Sequence, residues 1–389
     1  MKLTLKLMQN LSVEGKKVVL RVDLNVPMIN GKIEDDTRIV KILPTIKYLT
    51  EHKAKIIIIS HFGRPKGRIV KEMSLEPIAK YLQVKFVDTN PQDAIAKMQN
   101  GDVICLENLR FNPGEEANDG NFAKELASYG DIYINDAFSC SHRSHASIVG
   151  IAKLLPGAAG LLLQEELLNL EKILSAPSHP MAAIVGGSKI STKLNLLYHL
   201  IKKADLLVVG GAMANSFLKA SGYDVGKSLY EADLIDVAKD IIAKAHENNC
   251  KLILPIDVVI SSSINDSNSK IVNATDVDAN SMILDLGPKT IAIVTSELQK
   301  IKTLVWNGPL GAFEYKPFDQ GTINLAKEVS RLTISKQLIS VAGGGDIVSA
   351  LTAAGVVDDF SYISTAGGAF LEWLEGMNLP GIEVLQNDI

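Results

Sequence analysis

The stretch LISVAGGGDIVSALTAAG (residues 338–355) is an apolar run, a triple glycine and a helical pattern in immediate succession. Read as strand, turn and helix, it is half of a βαβ unit. The glycines leave backbone N–H groups exposed where a following helix begins, which is a place suited to anions. Outward from it the same grammar recurs. Continuous apolar runs are predicted as strands at Lys17 to Asp23, Lys55 to Ser60, Val103 to Leu106 and Asp131 to Ile134. Others follow at Met181 to Val185, Asp205 to Val209, Lys251 to Leu254, Leu304 to Trp306, Leu338 to Ala342 and Ser361 to Ser364. Such runs, spaced by helical stretches, predict parallel strands covered on both faces.

About ten strands in 389 residues suit two sheets better than one. The expected architecture is α/β, with two doubly wound, Rossmann-like parallel-sheet domains joined by a hinge helix. That helix is predicted over Ala159 to Leu174, ending at the breaker run Ser175 to Pro180. With 47% apolar and 22% charged residues and a net charge of −4, the chain reads as an ordinary globular protein with no nucleic-acid partner. Cys105, Cys140 and Cys250 lack metal-ligand spacing and are expected to be idle thiols. The N-terminus has no apolar signal core, and no run is long enough to span a bilayer, so a cytoplasmic protein away from membranes is expected.

Arginine and glycine divide the chain unevenly. Six of seven arginines (Arg21, Arg38, Arg64, Arg68, Arg110 and Arg143) precede residue 144, whereas lysine is spread throughout. Arg64, Arg110 and Arg143 come just after predicted strands, where open parallel sheets bind ligands. Their planar forks suit carboxylate and phosphate. Every Gly-Gly pair falls in the second half, at Gly186, Gly210, Gly343 and Gly367, each after a strand. An anion lobe and a nucleotide lobe are the expectation. Known signatures are missing: Gly222 to Ser228 has one residue too few between its glycines for a P-loop, and reads as a loop. GxGxxG, the GxSxG elbow and the protein-kinase motif set are also lacking. His52, His179, His199 and His246 read as surface or packing residues.

Taken in order, the segments RVDLNVP (21–27), DTR (36–38), SHFGRP (60–65), ENLRF (107–111), NDAF (135–138) and HRSH (142–145) resemble the phosphoglycerate kinase family. The likeness continues through GGSKISTK (186–193), GGAMA (210–214), DLGP (285–288), VWNGP (305–309), AGGGD (342–346) and STAGG (364–368). It implies reversible phosphoryl transfer between 1,3-bisphosphoglycerate and ADP, giving 3-phosphoglycerate and ATP, a step of glycolysis. It implies a phosphoglycerate-binding domain over 1–172, a nucleotide-binding domain over 173–371, and a tail, 372–389, that returns to the first. Around the glycerate it sets Asp23, Leu24, Asn25, Arg38, His61, Phe62, Gly63, Arg64, Arg110 and Arg143. Around the nucleotide it sets Lys193, Gly211, Gly287, Asn307, Pro309, Glu314, Gly344, Gly345, Asp346 and Ile347. Asp346 would hold the Mg²⁺ of ATP or ADP, while Arg38, Lys193 and Lys189 would act on the transferring phosphate. The domains would close about the hinge, and a monomer is expected.

Two departures stand out. Ile347 occupies a position where the family usually has threonine, so weaker nucleotide binding is expected, with Ile347→Thr restoring it. Ala366 replaces a family glycine. Two other readings remain at this point, a two-lobed binder of a phosphorylated metabolite and a nicotinamide dehydrogenase. The first has no use for a second anion site, and the second lacks its glycine fingerprint.

Overall fold

Four apolar strands of the first half become the centre of a six-stranded sheet because their side chains are buried on both faces. These are β1 (Lys17–Arg21), β2 (Lys55–Ile59), β4 (Val103–Leu106) and β5 (Ile132–Asn135), flanked by β3 (Lys85–Val87) and β6 (Gly157–Ala159). All pairs are parallel, in the order β3-β4-β2-β1-β5-β6. The computed structural model describes residues 5–29, 31–174, 177–364 and 366–386; Ser175, Ala176 and Thr365, which figure in the sequence reading, lie outside it. Val18, Leu20, Ile56, Ile58, Cys105 and Ile134 fill the core beneath helix α1 (Thr37–Glu51), where Ile39, Ile42 and Leu49 face inward. At about 25 cal/mol per Å² of apolar surface, burial of this kind is the main force holding the unit together.

The second unit has β7 (Met181–Val185), β8 (Leu206–Val209), β9 (Lys251–Ile253), β13 (Thr303–Asn307), β14 (Ile339–Gly343) and β15 (Tyr362–Ser364). They pair in parallel in the order β9-β8-β7-β13-β14-β15, the doubly wound arrangement. Added to this is an antiparallel sheet, β11-β10-β12, built from β10 (Asp257–Ser261), β11 (Lys270–Asn273) and β12 (Met282–Leu286). The expectation of parallel sheets alone did not contain it. The chain divides into two compact units, Met1–Leu170 with Asn378–Ile389, and Glu171–Met377. The helix α2 (Leu161–Leu174) runs across the division in sequence; the first residues of its predicted span, Ala159 and Gly160, instead end β6 and the turn after it. Helices α3 (Pro288–Leu298), α4 (Gln320–Ile334) and α5 (Gly345–Ala353) follow β12, β13 and β14 in turn.

Cys105, Cys140 and Cys250 are free and buried. Burial pushes the Cys105 thiol up to about 12 and Cys250 up to about 11, so neither offers a thiolate at neutral pH. The near-match to a P-loop is a loop pinned by a bridge from Gly226 to Met282, and the next helical turn begins only at Ala232 rather than at Lys227. Among the described residues no helix is long and apolar enough to cross a membrane.

Candidate functional site

In the first unit the chain leaves β1 for β2 on one side and takes β5 on the other. The crevice outside the carboxyl ends of β1 and β5 is therefore a topological switch point, the usual ligand position in an open parallel sheet. Loops from four strands meet there. Asp23 and Asn25 follow β1, His61 to Arg64 follow β2, Arg110 follows β4, and Ser139 and Arg143 follow β5. Arg38 arrives in the first turn of α1.

Polar bonds across the loops fix their geometry. The Arg38 Nη1 donates to Asp23 Oδ2 at 2.7 Å and to the Asn25 carbonyl at 3.0 Å. Asp23 also accepts from Ser139 Oγ and from its neighbour Asn25 N. Asn25 Oδ1 accepts from Gly63 N at 2.9 Å, and Arg110 donates to Gly63 O at 2.7 Å. Asn108 joins two strand ends, since its side chain bonds both backbone groups of Phe62 as well as Arg110 N.

Cations collect here beyond what the local acids compensate. Arg110, buried, pairs with the half-exposed Glu116 at 3.2 Å, and burial together with neighbouring Arg143 lowers its pKa. Burial first, then Arg21, Arg110 and Arg143, hold His61 well below the usual histidine range. His61 is therefore neutral at pH 7. Its Nδ1 faces Arg21 Nη2 at 3.1 Å and must accept, which leaves Nε2–H as a donor. Neutral donors and crowded guanidinium groups make an anion the natural occupant.

Three residues of this unit have polar groups spent inside the protein. Arg21 is 1% exposed and bonds Ser147 Oγ and the Val22 carbonyl, beside the buried Glu115. Leu24 has its side chain wholly in the core, with its N–H given to Ser60 Oγ and its carbonyl accepting from Val26 N, so it supports the loop between Asp23 and Asn25. Phe62 likewise spends its backbone on Asn108. Arg64 is exposed, and Arg143 is half-buried with Nε bonded to His142 at 3.2 Å.

In the second unit the switch point lies between β7 and β13. Lys193 Nζ sits in it, donating to the carbonyls of Gly186 and Asn307 and to Asn307 Oδ1. Asn307 in turn donates to Gly343 O, tying β13 to β14. Only glycine fits at Gly186, where a Cβ would stand 1.9 Å from the Pro309 carbonyl. Gly344, at φ 111°, turns the chain into α5, and Gly345 has open space over it. Asp346, exposed in the first turn of α5, does not cap its helix, and its carboxylate carries no hydrogen bond among the described residues.

Beside this corner lies a cavity of about 330 Å³, walled by Gly211, Pro309, Glu314 and Asp346 and by apolar side chains including Leu229 and Met282. Its size and lining suit a small organic ligand. Lys193, Asn307, Gly344 and Gly345 form the adjoining corner. Lys189 is exposed on the segment after β7, outside the cavity wall. Gly287 is also outside the wall: a Cβ there would meet the Asp257 carboxylate at 2.3 Å. Asp257 uses that room to accept from Lys289 N and Thr290 N at the start of α3.

Ile347 also needs correction. Its side chain is 0% exposed and packs in the core with Ala350 and Leu351. Ile347→Thr would therefore bury a hydroxyl in the core rather than aim it at a phosphate. The expected result is a loss of about 1–3 kcal/mol of stability, read as a lower melting temperature, with nucleotide affinity unchanged. Tighter nucleotide binding would contradict this placement.

Burial lowers the Lys193 ammonium to about 8, with Asp346 opposing the shift. The charged form that a phosphate needs is therefore present below about pH 8 and lost above it. In the free enzyme kcat/KM for the nucleotide is expected to fall as pH rises through about 8, while kcat persists further because bound phosphate favours the ammonium. A flat kcat/KM between pH 7 and 9.5 would contradict the assignment.

One α/β unit gathers cations at its strand ends, and the other sets a lysine and a helix start beside a ligand-sized cavity; together they define a phosphotransferase with two anionic ligands. The chain belongs to the phosphoglycerate kinase family, whose model matches residues 8–377. It is 51% identical to the phosphoglycerate kinase of Orientia tsutsugamushi (strain Ikeda) over 99% of this chain and 98% of that one. With that of Allorhizobium ampelinum it shares 52% identity over 96% of each. The structure of phosphoglycerate kinase from Coxiella burnetii superposes with a TM-score of 0.91 at 43% identity, covering 98% of both chains.

Proposed function

We propose that the chain moves the acyl phosphate of 1,3-bisphosphoglycerate to ADP, and the reverse, with the glycerate held by the first unit and the nucleotide by the second. The observation that carries this reading is the pair of switch points, one furnished with arginines and the other with Lys193 beside a glycine-turned helix start. Phosphoryl transfer asks mainly for in-line placement and neutralised charge, and these are the residue types present. Arg110, Arg143, His61 and Asn25 would hold the glycerate's carboxylate and phosphate. Arg38, oriented by Asp23, and Lys193 would face the transferring group, with Lys189 a further cation on the nucleotide side. The N–H groups at the start of α5 would meet the nucleotide phosphates.

Mg²⁺ fits the second unit as one carboxylate, Asp346, exposed and unbonded, with phosphate and water oxygens completing the shell, the usual economy of nucleotide-bound magnesium. When bound it would neutralise phosphate charge. Glu314 would accept from the ribose. Because the two ligands belong to different units, transfer requires them to be brought together with water excluded. The cytoplasm is the compartment in which this reaction and three reduced cysteines agree, and a monomer suffices because each unit supplies its own ligand groups.

Calorimetry tests the division of labour. Arg110→Ala is expected to weaken 3-phosphoglycerate binding and leave ADP binding unchanged, and Glu314→Gln to do the reverse. If either variant affected both ligands equally, the assignment of one ligand to each unit would be wrong.

A further inference from the structure

Asp285, at the end of β12, is 2% exposed, and among the described residues no cation pairs with it. Its oxygens accept backbone N–H groups instead. Oδ1 takes Leu286 N at 2.8 Å, and Oδ2 takes Gly321 N at 2.7 Å in the first turn of α4. The residue preceding that helix, Asp319, makes no side-chain cap, so Asp285 caps it from another strand. Two glycines make the room. A Cβ on Gly311 would fall 2.2 Å from Asp285 Oδ1, and one on Gly321 2.4 Å from the same oxygen.

The segment from Gly311 to Gly321 is thus folded around a buried carboxylate. It is tied to the same strand by Ala312 N donating to Leu284 O at 2.8 Å. It carries Gly311, Ala312, Phe313 and Glu314 of the cavity wall, which Asp285 also borders from the strand side with its oxygens turned to the backbone donors. Burial, with Asp319 as the other charge acting on the group, pushes Asp285 up to about 7. The backbone donors at Gly321 and Leu286 oppose that shift. The carboxylate thus both caps α4 and fixes the segment that precedes it.

We propose that Asp285 is a positioning residue for the nucleotide, fixing the 311–320 segment so that Glu314 faces the ribose. The inference rests on the reading of the cavity as the nucleotide site.

The test uses Asp285→Asn and Glu314→Gln, singly and combined, in steady-state kinetics. Asparagine turns an N–H donor toward one of the two backbone donors. The KM for ADP is expected to rise about tenfold, with the KM for 3-phosphoglycerate and kcat within about twofold. In the double variant the rise should be less than the product of the single effects, because both act through one contact. Gly321→Ala, which crowds the same oxygen from the helix side and lies outside the cavity wall, is expected to show the same signature should Asp285→Asn fold poorly. If Asp285→Asn and Gly321→Ala lower the melting temperature but leave the KM for ADP unchanged, the role is structural only and the proposal fails. Fully multiplicative effects in the double variant would also overturn it. An unchanged KM for ADP in Glu314→Gln alone would remove the underlying reading and the inference with it. A Glu314→Gln effect with none from Asp285→Asn would overturn the inference alone.

Discussion

Lys193→Ala is expected to lower kcat by about 10²–10³-fold, the scale of losing one preorganised donor to developing charge. The structure explains why the loss should be that large. Nζ is gripped by the Gly186 and Asn307 carbonyls and by Asn307 Oδ1, so removing it leaves three acceptor oxygens facing the place proposed for the phosphate. Those oxygens would repel a phosphoryl group as it moves. Arginine would not substitute, because the slot is tight; a Cβ on Gly308 would lie 2.8 Å from Nζ. Steady-state kinetics in both directions checks this. A raised KM with unchanged kcat would mean that Lys193 binds the ground state only.

Arg38→Ala is expected to cost about 10²–10³-fold in kcat as well, and also to raise the KM for 3-phosphoglycerate. The second effect has a separate cause. Asp23, a tenth exposed, loses its ion pair at 2.7 Å and becomes an uncompensated charge in an anion site. Adding Asp23→Asn should therefore recover much of the KM and none of the kcat. If the double variant recovered turnover instead, Arg38 would act only by neutralising Asp23.

Much of the fold was legible because buried parallel strands are continuous apolar runs. All ten runs read from the sequence are strands, with ends shifted by at most two residues. Two short strands, Lys85–Val87 and Gly157–Ala159, escaped because three residues at a sheet edge carry no pattern. The antiparallel Lys270–Asn273 is largely exposed and reads as a loop. Arg64, Arg110 and Arg143 were legible by their place after strands, yet the crowding of arginines in the first half did not separate the buried Arg21 from Arg38. What separates them is Ser147 and Glu115, more than ninety residues away in sequence. Asn108, Ser139 and Asp285 were missed for the same reason, since their partners are distant in the chain. Ile347 is different. Ile347, Ala350 and Leu351 form an i, i+3, i+4 apolar stripe, a core-face signal that the expectation of a nucleotide contact passed over.

The central claim is direct transfer between ligands held on two units, and a single turnover tests it. Enzyme would be mixed with ADP, Mg²⁺ and 1,3-bisphosphoglycerate labelled in its acyl phosphate, then quenched. Label is expected in ATP, at the rate of 3-phosphoglycerate formation and with none in inorganic phosphate. Label in inorganic phosphate, or none released at all, would contradict the account.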